Sequence, residues 1–414
     1  GAAYVLNRAH EVEVFEADGR LGGHAHTHEV ETEAGRWQLD SAFLVFNHKT
    51  YPTFTRLLAQ LGVASQETDM SHSVRCGRCG VEWSNRGLAG LFPQVRRAAD
   101  AAHLRMLVDL PRFAAHAHRH LARPAEQDVS LDAFIREGRY SAGFVRHCLL
   151  PFGGAVWSAA QADVRRFSAR AFLGFLRNHG MLTLYDAPRW RTIVGGSAVY
   201  VGAIAKTLRG PIHLSTPVRR IRRDKEGVAL TLPDGGERHF DKVVIATHAD
   251  QALRLLEDAS PAERETLGSF RYSSNRAVLH VDAPGSPEGS VLPRAAGARA
   301  SWNSYIQDCT DERPLVRVSY DLNRLQRLPG PKVPQFCVTL NHEGALGGRV
   351  LAEMEYAHPV MEAGAYEAQP GVQALNAQGG TRHTYFAGAH LGHGFHEDGL
   401  VSALKVAAHF GLAL

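Results

Sequence analysis

The sequence predicts an α/β fold in two domains, the first of them discontinuous along the chain. Three observations predict it. A short helix (Ala2, Ala3, Val5, Leu6) leads into a stretch where Val12, Val14 and Phe15 interleave with Glu11 and Glu13, ending on Glu16 ahead of a glycine cluster. A second apolar run, Val243 to Thr247, has the composition of a buried parallel strand. A glycine-rich turn from Gly388 to Gly399 joins a predicted strand to a final helix starting at Leu400. Strand, acidic end and glycine turn are the parts of a Rossmann-like fold. They lie at the start, middle and end of the chain. The predicted dinucleotide-binding domain is therefore 1–72, 188–256 and 378–414, and 73–187 with 257–377 form an inserted α+β substrate domain. Such an arrangement places the reaction at the interface of the two.

Bulk composition agrees. The 414 residues exceed one ordinary core, and 44% apolar with 21% charged residues is a folded globular balance. A net charge of +4 is too small to indicate a nucleic-acid partner. The excess is uneven: 86–123 holds seven Arg against two Asp among Leu, Met, Phe and Val. That segment reads as a solvated helical face, with peripheral contact to an anionic membrane as the alternative. Five cysteines form no closely spaced even framework, which predicts a reducing, cytoplasmic setting. No apolar run approaches the ~18 residues of a membrane span.

The elements follow in order. Phe54, Leu57, Leu58 and Leu61 predict a helix over 50–61, and 87–179 is mainly helical. Strands are predicted at 212–214, 228–232 and 243–247. An alternating block over 276–360 contains 277–281, 315–318, 336–340 and 350–354. A strand at 384–387 and a helix at 400–410 close the chain.

The first site signal is Glu16. A carboxylate at the end of such a strand accepts hydrogen bonds from ribose hydroxyls and repels a 2′-phosphate, favouring FAD or NAD over NADP. Alone it is an ordinary strand-end Glu. Gly22 and Gly23 strengthen it, because adjacent glycines let the backbone approach a pyrophosphate and expose N–H groups. Ala17, Arg20 and His24 flank this turn, Arg20 adding a fixed positive charge.

Here the chain resembles a known family. The stretches FEADGRLGGHAHT (15–27), FLVFNHKTYP (43–52), RCGRCGVEWS (75–84), LLPFGGAVWS (149–158), WRTIVGGSAVYV (190–201), VVIATHAD (243–250) and FAGAHLGHGFHEDGL (386–400) are similar to the flavin amine oxidase and phytoene desaturase superfamily. Within it, they resemble a bacterial branch of predicted NAD/FAD-binding oxidoreductases. The matches run in order over nearly the whole chain. They are specific for the family and much less so for substrate. Members open with a short strand and a GxGxxG loop before an Ala/Gly-rich helix. Gly1-Ala2-Ala3-Tyr4 matches the inside of that helix, so the resemblance implies an upstream strand and phosphate loop not among these residues.

The resemblance implies FAD as cofactor. It places Val218 and Thr247 at the adenine end. Gly388, Gly394, Phe395, His396, Gly399 and Leu400 fall at the ribityl chain and flavin, and Trp190 at the flavin–substrate boundary. It puts Ala389 where the superfamily usually carries an acidic residue. Asn47 and Tyr51 match a loop entering the substrate domain.

No catalytic base stands out. His396, Glu397 and Asp398 are candidates by position, and either carboxylate equally caps the following helix. Cys76 and Cys79 resemble half a zinc site with no second pair at suitable spacing, so no metal is predicted. His24, His26 and His28 share one strand face, but the resemblance places His24 by the flavin. His116, His118 and His120 read as surface residues of a basic helix. GxSxG, HExxH and complete P-loop motifs are missing.

The implied function is an FAD-dependent oxidoreductase taking hydride from a substrate C–H bond. The apolar helical insert suits a long hydrophobic substrate, and so favours a dehydrogenase or desaturase of a small-molecule acyl or isoprenoid-like substrate. An amine oxidase, a flavin-dependent double-bond isomerase and a non-catalytic flavin-binding protein are the alternatives.

Overall fold

The computed structural model describes residues 1–182, 188–286, 289–330 and 332–414. Two pairs of parallel strands carry the dinucleotide-type motifs. Val14–Phe15 pairs with Ile212–His213, and Val243–Ile245 pairs with Thr384–Phe386. A three-stranded antiparallel sheet (Arg220–Arg223, Val228–Thr231, Glu237–Phe240) packs beside them. Phe15, Val218 and Val243 join Ile245 and Phe386 in one apolar cluster, so the two parallel pairs converge. The C-terminal helix His396–Ala408 buries Leu400, Ala403, Val406 and Ala407. Those positions are spaced three and four apart, one face of a helix.

Helix Pro52–Leu61 has Pro in its first turn and closes on Gly62 at φ 65, the left-handed conformation that suits a glycine cap. Phe54, Leu57 and Leu58 are its buried face.

The rest of the molecule is built on a seven-stranded sheet. Its order is Val350–Pro359, Tyr272–Val281, Phe336–Leu340, Arg317–Asp321, Trp302–Ile306, His72–Cys76 and Glu82–Ser84. Only the 302–306 and 72–76 pair is parallel. Helices between Gly87 and Asn178 cover it, with Leu131, Phe134, Phe144, Leu150, Phe172 and Leu173 at the centre of their core. The expected domain boundary near residue 187 lies outside the described residues.

The helix Ala101–Leu121 corrects one expectation. His116 and His120 are buried, and only His118 is exposed. Four residues apart, His116 and His120 lie on the same inward face. His116 stacks on Phe134 at 4.1 Å and bonds the Tyr140 hydroxyl at 2.8 Å, and His120 reaches Asp128 at 3.3 Å. Near the Cys76–Cys79 pair the fold brings in two residues from distant chain, His147 and Cys309. Trp190, which the resemblance puts at the flavin–substrate boundary, opens strand Trp190–Ile193 between Phe46–Asn47 and Ser65–Glu67. No helix among the described residues is long and apolar enough to cross a membrane.

Candidate functional site

Glu16 directly follows its strand, half-buried. Its N–H donates to the His213 carbonyl at 2.9 Å and its carbonyl accepts from Thr216 N–H at 2.8 Å. The carboxylate accepts one bond, from Asp18 N–H at 3.0 Å, and its other oxygen has no partner among the described residues. Ala17 is exposed beside it. Thr247 is exposed just beyond strand Val243–Ile245, and Val218 packs into the cluster linking the two pairs.

The glycine turn is tightly specified. Gly22 has φ 112, and a Cβ there would stand 2.5 Å from the Ala25 carbonyl oxygen. Gly23 has φ 56 and nothing within 4 Å of its Cβ position, an open cradle. Arg20 folds over the turn and donates to the Gly23 carbonyl at 2.8 Å.

His24 is the centre of the site. Its ring lies 5.0 Å from Tyr356 and 5.5 Å from His358. Its Nε2 is buried with no hydrogen-bond partner among the described residues. Burial first, then the positive fields of His358, His248, His396 and Arg20, push its pKa down to about 3. His24 is thus neutral at pH 7 and holds an unused polar atom. Such an orphan in a native fold indicates a missing partner.

The 388–399 turn closes around the same centre. Gly388 N–H donates to the Ser402 hydroxyl at 2.9 Å. Gly394 sits at φ 90, and at Gly399 a Cβ would meet nothing nearer than 3.8 Å. His396 stacks on Phe43 at 3.9 Å and bonds the Tyr200 hydroxyl at 2.6 Å, and burial lowers its pKa to about 4. Leu400 is buried one turn further on.

Both carboxylates proposed as bases are engaged elsewhere. Glu397 accepts from Thr53 and Phe54 N–H, both at 2.8 Å, and so caps the helix Pro52–Leu61 rather than its own. Asp398 accepts from His393 N–H at 3.0 Å and Phe395 N–H at 2.9 Å, the cap of its own helix. Both satisfy orphan N–H groups at a positive helix end. Asn47 likewise builds a turn, its amide oxygen accepting from Lys49 and Thr50 N–H. Tyr51 is buried at the start of that helix.

An aromatic cluster packs behind the turn. Phe395 stacks on Phe175 at 5.0 Å and lies 5.5 Å from His179, which stacks at 6.1 Å on Trp190. Tyr366 bonds His393 Nδ1 at 3.1 Å nearby. Burial lowers the pKa of His179 to about 4, so that ring carries no charge at neutral pH.

Reading the sequence missed Tyr356, His358, Tyr200, Phe175 and His179. Tyr356 and His358 carried a signal: two apart on the strand Val350–Pro359, they share one sheet face. The others meet the site only through helix packing. The His26 and His28 rings do meet, tilted with centroids 3.9 Å apart, but bond Tyr356 and Ser41 respectively.

A family model described as flavin containing amine oxidoreductase matches residues 2–409. No curated protein matches the sequence. Among solved structures, a candidate protoporphyrinogen oxidase from Exiguobacterium sp. 255-15 is similar, with TM-score 0.66 and 14% identity over 99% of this chain and 95% of that one. A CLA-producing fatty acid isomerase from P. acnes gives TM-score 0.65 and 13% identity over 99% and 95%. Cyclohexylamine oxidase from Brevibacterium oxydans IH-35A gives 0.62 and 17% over 99% and 96%.

Proposed function

Because the chain belongs to the flavin-containing amine oxidoreductase family, an FAD-dependent oxidoreductase family, we propose that it removes hydrogen from a hydrophobic, acyl or isoprenoid-like substrate. The observation that carries this is the aromatic cluster of Phe175, His179, Trp190 and Phe395, beside which both nearby carboxylates are consumed as helix caps. Neutral imidazoles and carboxylates already engaged as helix caps give a cationic amine no free counter-charge, whereas an apolar chain is stabilised by contact with the rings. The fold itself leaves the class open, since it serves amine oxidases and a fatty acid isomerase alike.

The residues present fit FAD: an open glycine cradle, a strand-end carboxylate with a spare oxygen, and an orphaned imidazole nitrogen. Glu16 would hold the ribose, and Gly22, Gly23 and Arg20 the pyrophosphate. The Gly388–Gly399 turn, with the positive end of helix His396–Ala408, would face the flavin. Bound FAD supplies the hydride acceptor. His24, neutral, offers Nε2 as a hydrogen-bonding atom without adding charge. Tyr200 and Phe43 fix the His396 ring. The aromatic cluster orients an apolar chain and excludes water.

Anaerobic mixing of the flavin-loaded full-length protein with acyl lipids and with small polar amines tests the reading. Bleaching of the flavin by acyl lipids is expected; bleaching by amines alone would overturn it. Product mass separates two outcomes, loss of two hydrogens for desaturation and no change for isomerisation. Glu16→Gln keeps the bond from Asp18 N–H but loses the charge, and is expected to weaken FAD binding about tenfold. Titration by flavin fluorescence checks this.

The same reading covers how an apolar substrate arrives. Leu88, Val95 and Val108 are 78%, 86% and 59% exposed on the 86–123 segment. Arg96 and Arg105 stand on it without an ion-pair partner among the described residues. Apolar side chains among free cations suit an anionic bilayer surface. Sedimentation with phosphatidylserine-containing vesicles, weakened by salt and by Val95→Asp, is expected; equal binding to neutral vesicles contradicts it.

A further inference from the structure

We propose that Cys76, Cys79, His147 and Cys309 form a structural zinc site that ties the helical insert to the seven-stranded sheet. Their Sγ and imidazole nitrogen atoms all lie within 4.8 Å of one another, and Cys79 Sγ is 3.3 Å from His147 Nε2. Tetrahedral zinc, with Zn–S near ~2.3 Å and Zn–N near ~2.0 Å, sets its ligand atoms about 3.5–3.8 Å apart. The cluster needs only a small contraction to reach that.

Four chain segments converge to build it. Cys76 ends strand His72–Cys76, in parallel register with Ile306, and Cys309 follows strand Trp302–Ile306 by one short loop. Sheet pairing therefore brings the first and last cysteines together. The Cys76–Gly80 turn is closed by Gly80 N–H donating to the Cys76 carbonyl at 3.1 Å, with Gly80 at φ 66. Gly77 has no room for a side chain, since a Cβ would stand 2.6 Å from the Tyr305 hydroxyl. Its N–H bonds the Ile306 carbonyl at 2.8 Å, and Arg78 pairs with Asp308 at 2.7 Å, so the two cysteine loops are clamped together.

His147 comes from the opposite layer. It lies in a wide π-helical turn, Val145–Leu149, that enters helix Leu150–Trp157. The buried Trp83 indole donates to its carbonyl at 2.7 Å and holds that turn against the sheet. Arg97 and Gln94 add donors to the carbonyls of Cys79 and Gly80, at 2.9 and 3.0 Å.

The donor set selects the metal. Three thiolates and one imidazole in a closed tetrahedron suit Zn²⁺, and four protein ligands leave no open position for substrate. The site is therefore structural. Three thiolates with Zn²⁺ leave one net negative charge, beside the Arg97 guanidinium. All five cysteines are free thiols, and a Cys76–Cys79 disulfide would leave Cys309 and His147 without a role.

Elemental analysis of full-length protein, purified under reducing conditions from zinc-supplemented cells, is expected to give one equivalent of zinc. Cys309→Ser and His147→Ala are each expected to reduce that at least threefold, and chelation to lower Tm by several degrees without bleaching the flavin. Should the variants fail to fold, cobalt exchange into the wild type decides: intense visible bands with thiolate charge transfer support the site. Zinc no higher than in buffer, zinc unchanged in soluble variants, a cobalt spectrum without charge transfer, or an unreduced mass two hydrogens short would each overturn it.

Discussion

Gly22→Val is expected to lower the flavin content of the purified protein more than tenfold. Gly22 holds φ 112, a conformation that costs a β-branched residue about 1–3 kcal/mol. Its new Cβ would also stand 2.5 Å from the Ala25 carbonyl oxygen, which belongs to backbone and has no side-chain freedom to yield. Ala25 is buried and its N–H closes the turn onto the Gly22 carbonyl at 2.9 Å. Relief therefore requires the turn itself to open, moving Gly23 and His24 with it. Gly23→Ala separates steric damage from ligand contact. At φ 56 with empty space around it, alanine there costs about 1–2 kcal/mol and disturbs no neighbour. If the cradle holds the pyrophosphate, Gly23→Ala also loses flavin while the fold survives. Stoichiometric flavin in Gly22→Val, read from the absorbance ratio, would remove the glycine turn from the site.

The second large effect is acid sensitivity centred on the histidines. Burial lowers the pKa of His72, His179, His358, His390 and His396 to about 4, and that of His24 to about 3. The unfolded chain titrates these rings near ~6.5. Between those values the unfolded state binds more protons, so stability falls as pH falls. The contribution is fully present above about pH 6.5 and is lost on descent towards about pH 4. One ring at about 4 costs about 2 kcal/mol at about pH 5. The rings are not independent, because His24, His358, His248 and His396 share one site, and opening it for one proton exposes the others. Three carboxyls work the other way. Burial raises Asp40 to about 6 and raises Asp321 and Asp398 as well, so their protonation favours the folded state in acid. They are fewer than the histidines and offset only part of the loss. Tm is expected to be level above about pH 7 and to fall steeply between about pH 6 and 4.5. A level Tm down to about pH 5 would contradict the buried neutral histidines.

The parts of the site written locally were legible. Glu16 and the Gly22–Gly23 turn depend on a strand, its end and a tight bend, all close together in sequence. The Gly388–Gly399 turn is of the same kind. The two carboxylates show where local reading stopped. Glu397 sits at a helix start and suggests its own cap or a base, yet its oxygens meet Thr53 and Phe54, 344 and 343 residues away in sequence. Charge and position at a helix end are sequence properties; which helix end a side chain reaches is set by packing.

The same division runs through the molecule. By itself the sequence determined the α/β class, the dinucleotide-type motifs and the family, because periodicity and glycine turns act over a few residues. Only the tertiary structure decided the rest. It turned His116 and His120 inward, assembled the aromatic cluster from helix, strand and turn, and brought His147 and Cys309 to the Cys76–Cys79 pair. Parallel pairing of 72–76 with 302–306 joins distant stretches of chain. Contacts of that range leave no periodic trace, since each partner satisfies only its own local rules until the sheet brings them together.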